Sequence, residues 1–206
     1  VDHSVPPHKV NYRANIWAIK SLGTEEVFAT TAVGSINPEM KAGHFVVCDN
    51  VLDFTKSRIS TFYDSPERGV AHCDFTYPYC PALREKVIKC LEKTDITFHK
   101  QGVYVCTEGP RFESAAEIKM YAMLGGDLVG MTNMPESILA REAELCYTNC
   151  SIVTNMAAGI SPTPLSHSEV CEAMAQSIDN MQKLILAFIA YDEPVEAKCG
   201  CHSCMK

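Results

Sequence analysis

Four short stretches carry the residue types that do chemistry, each directly behind an apolar run: Thr31-Ala32-Val33-Gly34-Ser35, Glu108-Gly109-Pro110-Arg111-Phe112-Glu113-Ser114, Met131-Thr132-Asn133-Met134-Pro135-Glu136 and Asn155-Met156-Ala157-Ala158-Gly159. Small residues beside hydroxyls, as in the first stretch, leave backbone N–H groups open to an anion. A carboxylate such as Glu113 only accepts hydrogen bonds, whereas a carboxamide such as Asn155 accepts and donates. Taken singly, each stretch is ordinary turn chemistry, because Gly, Thr and Asn commonly lead strands into helices. Four of them predict one cleft, since open α/β sheets bind ligands beyond the carboxyl ends of their strands.

The elements that must hold these stretches follow from periodicity. Ile16, Ile19 and Leu22 recur at helical spacing within residues 10–22, and Gly23 stops that helix. Residues 27–31 read as a buried strand that breaks into the small-residue loop, and 45–48 as a second strand. Residues 53–79 are polar, aromatic and irregular. Beyond them a helix is predicted over 81–93, with Leu83, Val87, Cys90 and Leu91 on one side. A strand at 103–107, a helix at 114–124, a strand at 127–131, a helix at 135–145 and a strand at 151–155 follow, and a long amphipathic helix spans 167–190. This alternation predicts an α/β fold: a single domain over residues 1–192 with a mixed, mainly parallel sheet flanked by helices, then a Cys-rich tail over 193–206. Nothing upstream supplies neighbours for the first strand, so the chain is expected to lack its N-terminal part.

Composition narrows the partners. The chain of 206 residues carries 18 Lys and Arg against 25 Asp and Glu, a formal charge of −7, and no basic block, which disfavours nucleic acid. Its longest apolar run, residues 184–191, falls far short of the ~20 residues that cross a bilayer, so no membrane partner is expected. Most of the eleven cysteines, Cys106 and Cys150 among them, sit in apolar segments as small buried hydrophobes, which suits a reducing cytoplasm. Asn149-Cys150-Ser151 matches a glycosylation acceptor but falls in a segment expected to be buried, and is set aside.

The stretches above, with Pro6-Pro7-His8-Lys9-Val10-Asn11-Tyr12-Arg13-Ala14-Asn15-Ile16 and Tyr104-Val105-Cys106-Thr107 added, resemble the trimeric purine nucleoside phosphorylase and methylthioadenosine phosphorylase family in the expected order from Val1 to about Ala190. The resemblance implies phosphorolysis, in which inorganic phosphate displaces a purine from the anomeric carbon. It implies Thr31 with the backbone of Ala32, the Thr132 hydroxyl and His3 around phosphate, Met131 on the ribose and Phe112 facing the purine. Adenine-type relatives carry Ser where this chain has Glu113, and paired Asp where it has Asn155 and Ala157, so the pattern resembles the 6-oxopurine branch. A 6-oxopurine presents an N1–H that a carboxylate accepts, whereas adenine N1 would leave Glu113 facing a lone pair. Asn155 and Glu113 are thus the implied catalytic pair, and His167 is placed at the 5′-hydroxyl. Phosphate is a co-substrate, and no cofactor and no metal are expected. A homotrimer or dimer of trimers is expected, with the aromatic segment 53–79 beside a neighbour's active site.

Other readings stay open. Methylthioinosine or methylthioadenosine is an alternative substrate. The family's Gly/Ser phosphate loop and Arg-His pair have no counterpart, which leaves an inactive nucleoside-binding or oligomer-stabilising subunit as an alternative of another class. Glu113 also suits a helix dipole, and Phe112 and Met131 also suit a core. The tail Cys199-Gly200-Cys201-His202-Ser203-Cys204 reads as a disordered segment with free thiols, as a disulfide or redox pair of the kind closely spaced cysteines form in archaeal relatives, or as a zinc site whose four ligands in six residues are tightly spaced.

Overall fold

The structure, a computed structural model, describes residues 4–160 and 167–205. Seven strands, β1 (Glu26–Ser35), β2 (Phe45–Val47), β3 (Asn50–Phe54), β4 (Phe98–His99), β5 (Val103–Thr107), β6 (Leu128–Gly130) and β7 (Cys146–Met156), form one sheet in the order β3-β5-β6-β1-β7-β2-β4. Five helices flank it: α1 (Tyr12–Ser21), α2 (Pro81–Leu91), α3 (Ala115–Met123), α4 (Glu136–Glu142) and α5 (His167–Ile189). The pairs β1–β7, β2–β4, β3–β5 and β5–β6 are parallel, while β1–β6 and β2–β7 are antiparallel, so the sheet is mixed and mainly parallel as expected.

Strand β7 is buried on both faces, and its two-residue alternation divides the core. Tyr147 and Val153 join Tyr12, Ile16, Tyr104, Leu128 and Leu139 on the side of α1 and α4. Cys150 and Ile152 join Phe45, Leu83, Val87, Leu91, Leu184 and Phe188 on the side of α2 and α5. Burying an aliphatic or aromatic side chain of this kind contributes about 1.5–3 kcal/mol, so helices too short to stand alone are held by these faces. Local signals set their ends. Asn11 caps α1 by accepting the Ala14 N–H, and Ser114 and Glu117 form a reciprocal capping box at α3.

Several expectations need correction. Strand β1 continues through Ser35, so Ala32-Val33-Gly34-Ser35 is strand and not loop. Small residues permit this because a register shift between Val33 and Gly34 bulges β1 against β7 at that point. β3 and β4 escaped periodicity, and β7 begins at Cys146, ahead of the expected 151, its first half carrying no apolar alternation by which to read it. Within the aromatic segment 53–79, Phe62 and Tyr79 are buried in this chain's core, Tyr63 and Phe75 pack on the same cluster, and Tyr77 stands well exposed. Asn149 is buried, in keeping with setting the glycosylation motif aside. The tail is docked rather than detached, with Cys201 and Cys204 buried. Among the described residues no helix is long and apolar enough to cross a membrane.

Candidate active site

The strand-end rule predicts the cleft but not its construction. β5 and β6 run opposite to β1 and β7, so their carboxyl ends do not share one edge of the sheet. The cleft instead opens at the antiparallel seam, where β6 pairs with β1 only at Gly34 and Ser35. Earlier β1 residues have no β6 partner and face the chain that leaves β6 at Met131 and Thr132. A cavity of about 540 Å³ results, of the size that takes a nucleoside-like molecule.

Eight of the ten residues singled out in the sequence line this one cavity: Thr31, Ala32, Phe112, Glu113, Met131, Thr132, Asn155 and Ala157. His3 and the side chain of His167, which begins α5, lie outside the described residues. Phe112 is 41% exposed at the mouth, which a core reading of that ring does not accommodate. Glu113 precedes the α3 cap, and its Oε1 accepts from Thr107 Oγ1 at 2.6 Å, which fixes the carboxylate from the end of β5. Asn155 Oδ1 accepts from Thr154 Oγ1 at 2.8 Å while its Nδ2 donates to the Met156 carbonyl at 3.0 Å. Each end of that amide keeps one further hydrogen-bonding position. Thr31 Oγ1 lies 2.8 Å from Ser151 Oγ and within reach of Asn149, so β7 sets its rotamer.

Gly34 holds Asn155 in place by lacking a side chain. A Cβ there would stand 3.2 Å from Asn155 Nδ2 and 3.3 Å from Val129 Cγ1. Gly34→Ala is therefore expected to lower kcat/KM about tenfold while changing thermal stability little, because displacements of under an ångström already cost positioning. Steady-state kinetics beside a thermal melt check this, and wild-type kcat/KM in the variant would remove Gly34 from the account.

Sequence reasoning missed the residue that ties the cleft walls together. Arg58 comes from the irregular segment, and its side chain is 1% exposed. Its guanidinium donates to the carbonyls of Thr107 (3.0 Å), Glu108 (2.8 Å), Met131 (2.7 Å) and Met134, and its Nε lies 3.3 Å from Glu108 Oε2. It also reaches Tyr12 Oη, which donates to the Pro7 carbonyl and so anchors residues 4–7, a further wall of the cavity. Burial raises the Glu108 carboxyl, but hydrogen bonds from Ser57 and the Lys56 N–H, with the Arg58 charge, bring it below the usual range. Beneath Met131 and Thr132 a second network runs from Tyr79 Oη to Asn133 Oδ1 (2.6 Å), from Asn133 Nδ2 to Tyr147 Oη (3.0 Å) and from Tyr147 Oη to Glu136 Oε1 (2.7 Å). Burial raises the pKa of Glu136, a shift the Tyr147 hydrogen bond opposes. Asn133 and Glu136 thus hold the loop from below and do not line the cavity.

Comparison with known proteins agrees with this architecture. Residues 1–190 match the family model described as the phosphorylase superfamily. The chain is 56% identical over 209 residues to a 6-oxopurine nucleoside phosphorylase of Pyrococcus furiosus, covering 99% of this chain and 78% of that protein. It is 48% identical over 204 residues to a probable S-methyl-5′-thioinosine phosphorylase of Methanothermobacter thermautotrophicus, covering 99% and 70%. Among solved structures, methylthioadenosine phosphorylase from Schistosoma mansoni in complex with adenine superposes with a TM-score of 0.87 at 32% identity, over 92% of this chain and 75% of that one. With the seven-strand sheet, the seam cleft and these matches in agreement, the chain belongs to the phosphorylase superfamily.

Proposed function

We propose that this protein is a purine nucleoside phosphorylase, a pentosyltransferase that cleaves 6-oxopurine nucleosides such as inosine and guanosine with inorganic phosphate. The observation that carries this reading is the meeting of Glu113 and Asn155 in the same cavity as Thr31, Ala32 and Thr132. The relatives named as 6-oxopurine nucleoside phosphorylases, at 52–56% identity, support it. In this reading the Thr31 and Thr132 hydroxyls, the Ala32 N–H and His3 orient phosphate toward the anomeric carbon. One bond forms from a phosphate oxygen to that carbon, and the bond to purine N9 breaks. The electron pair passes into the purine, which takes up a proton from solvent at N7; that N7–H donates to Asn155 Oδ1, and O6 accepts from Asn155 Nδ2. Glu113 accepts the N1–H, Phe112 packs on the base and Met131 on the ribose. Holding both partners in line and stabilising the leaving base are the main contributions available without covalent catalysis.

The reaction requires no cofactor other than phosphate as co-substrate, and the partners are small molecules. We infer a trimer or dimer of trimers in a reducing cytoplasm, supported by the exposed apolar residues Phe112 at the cavity and Met120, Met123 and Leu124 on and after α3, and by ten free cysteines among the described residues. Hypoxanthine release from inosine, measured with and without phosphate, tests the reaction. Release that requires phosphate and yields ribose 1-phosphate is expected. Binding of inosine without turnover would favour the nucleoside-binding subunit instead.

Methylthioinosine is kept as a second reading because relatives at 46–48% identity are named for it. His167→Val separates the two. Loss of a hydrogen bond to the 5′-hydroxyl costs about 1–2 kcal/mol and an apolar wall for a methylthio group returns about 1 kcal/mol. The ratio of kcat/KM values should then swing from inosine toward methylthioinosine by about thirtyfold to a hundredfold. A swing below about threefold would remove His167 from the 5′ position.

A further inference from the structure

Four cysteines converge at the end of β7 opposite Asn155. Cys80 caps α2, Cys146 opens β7, and Cys199 and Cys201 come from the tail. Their sulfurs all lie within 4.8 Å of one another, and Cys146 Sγ stands 3.6 Å from Cys199 Sγ. A tetrahedral zinc tetrathiolate with bonds of about 2.3 Å requires sulfur–sulfur edges of about 3.8 Å. We propose that Cys80, Cys146, Cys199 and Cys201 form a structural Zn²⁺ site that fastens the tail to the sheet.

The surroundings suit a dianionic tetrathiolate. Arg141, itself buried, donates from Nη1 to Cys201 Sγ at 3.1 Å and is held by the Asp74 carbonyl. Pro81 starts α2 immediately after Cys80, so the positive end of that helix faces the cluster. His202 Nε2 lies 3.7 Å from Cys146 Sγ, with Nδ1 at the Glu144 carbonyl. Three of the thiols are buried and Cys199 is exposed, which leaves an entry path for the ion. Four protein thiolates fill the tetrahedron and leave no position for a substrate, as in structural and not catalytic zinc sites. The tail alone spaces its ligands too tightly, and the structure solves this by taking only two from it. Cys204 turns away: its Sγ donates to the Arg141 and Cys201 carbonyls and sits 3.6 Å from Cys73 Sγ. Soft thiolates select Zn²⁺, and loading exchanges four thiol protons for one ion without redox change.

The test uses the full chain purified under reductant without chelator. Elemental analysis is expected to find about one zinc per chain, released by titration of the thiols with an organomercurial. Cys80→Ser and Cys201→Ser should lose it, while Cys204→Ser should keep it. Replacing zinc by Co²⁺ should give the intense visible bands of a tetrahedral tetrathiolate, absent in Cys80→Ser. Zinc removal should lower Tm by at least about 5 °C and leave kcat/KM at moderate temperature within twofold. Iron in place of zinc, protein free of metal with these cysteines paired as disulfides by mass, or equal zinc in wild type and Cys80→Ser would each overturn the proposal. The organomercurial titration on the wild type decides the matter even if the variants fail to fold.

Discussion

Asn155→Asp combined with Glu113→Ser is expected to turn the enzyme from inosine toward adenosine. In the proposed reading Glu113→Ser removes the carboxylate that accepts the N1–H of a 6-oxopurine; it also removes the acceptor that Thr107 Oγ1 now uses at 2.6 Å. Asn155→Asp places a protonatable carboxyl where, in that reading, the amide meets O6 and N7, and a protonated carboxyl donates to an adenine N7. Each mismatch of a buried polar group costs about 1–3 kcal/mol, and the two act on different edges of the base. The ratio of kcat/KM for inosine over that for adenosine is therefore expected to fall by about a hundredfold or more. The single variants should lie between wild type and the double variant. An unchanged ratio in the double variant would mean that these residues do not read the base.

Arg58→Ala is expected to be the most damaging single change outside the substrate contacts. It takes this donor from the Thr107, Glu108, Met131 and Met134 carbonyls and removes the cation beside the Glu108 carboxylate, which keeps its hydrogen bonds from Ser57 and Lys56. Each buried carbonyl left unpaired costs about 1–3 kcal/mol, and in a chain of this size each kcal/mol moves Tm by about 2–4 °C. A fall in Tm of about 10 °C or more should accompany a loss of about a hundredfold in kcat/KM, since three walls of the cavity lose their common tie. Arg58→Lys keeps the charge but cannot serve so many carbonyls, so it should recover part of the stability and less of the activity. A folded Arg58→Ala protein with kcat/KM within threefold of wild type would show that the walls stand without this residue.

Much of the site was legible because its residues sit in contiguous stretches with strong local signals. The apolar side of α2 and the helical stretch that becomes α3 are local patterns that lead to their observed elements, whereas the small residues that end β1 read locally as a loop. Strand direction is not local. Nothing in residues 127–131 distinguishes a strand antiparallel to β1 from a parallel one, so the seam that opens the cleft was hidden. Two-residue β4 offers no periodicity to detect. Arg58 was missed for a related reason: its acceptors lie 46 to 76 residues away along the chain, and an arginine in a polar segment reads as solvated. The cysteine cluster repeats the point, since Cys80 and Cys146 read as small hydrophobes until the sheet and α2 bring them to the tail.

The central claim is that Glu113 and Asn155 commit this fold to 6-oxopurines, and one measurement tests it most directly. Phosphate-dependent base release is followed under identical conditions for inosine, guanosine, adenosine, methylthioinosine and methylthioadenosine, and kcat/KM is obtained for each. The account predicts that inosine and guanosine exceed adenosine by at least about tenfold to a hundredfold, the discrimination that one unpaired polar contact to the base supplies. Adenosine or methylthioadenosine cleaved as well as or better than inosine would contradict it.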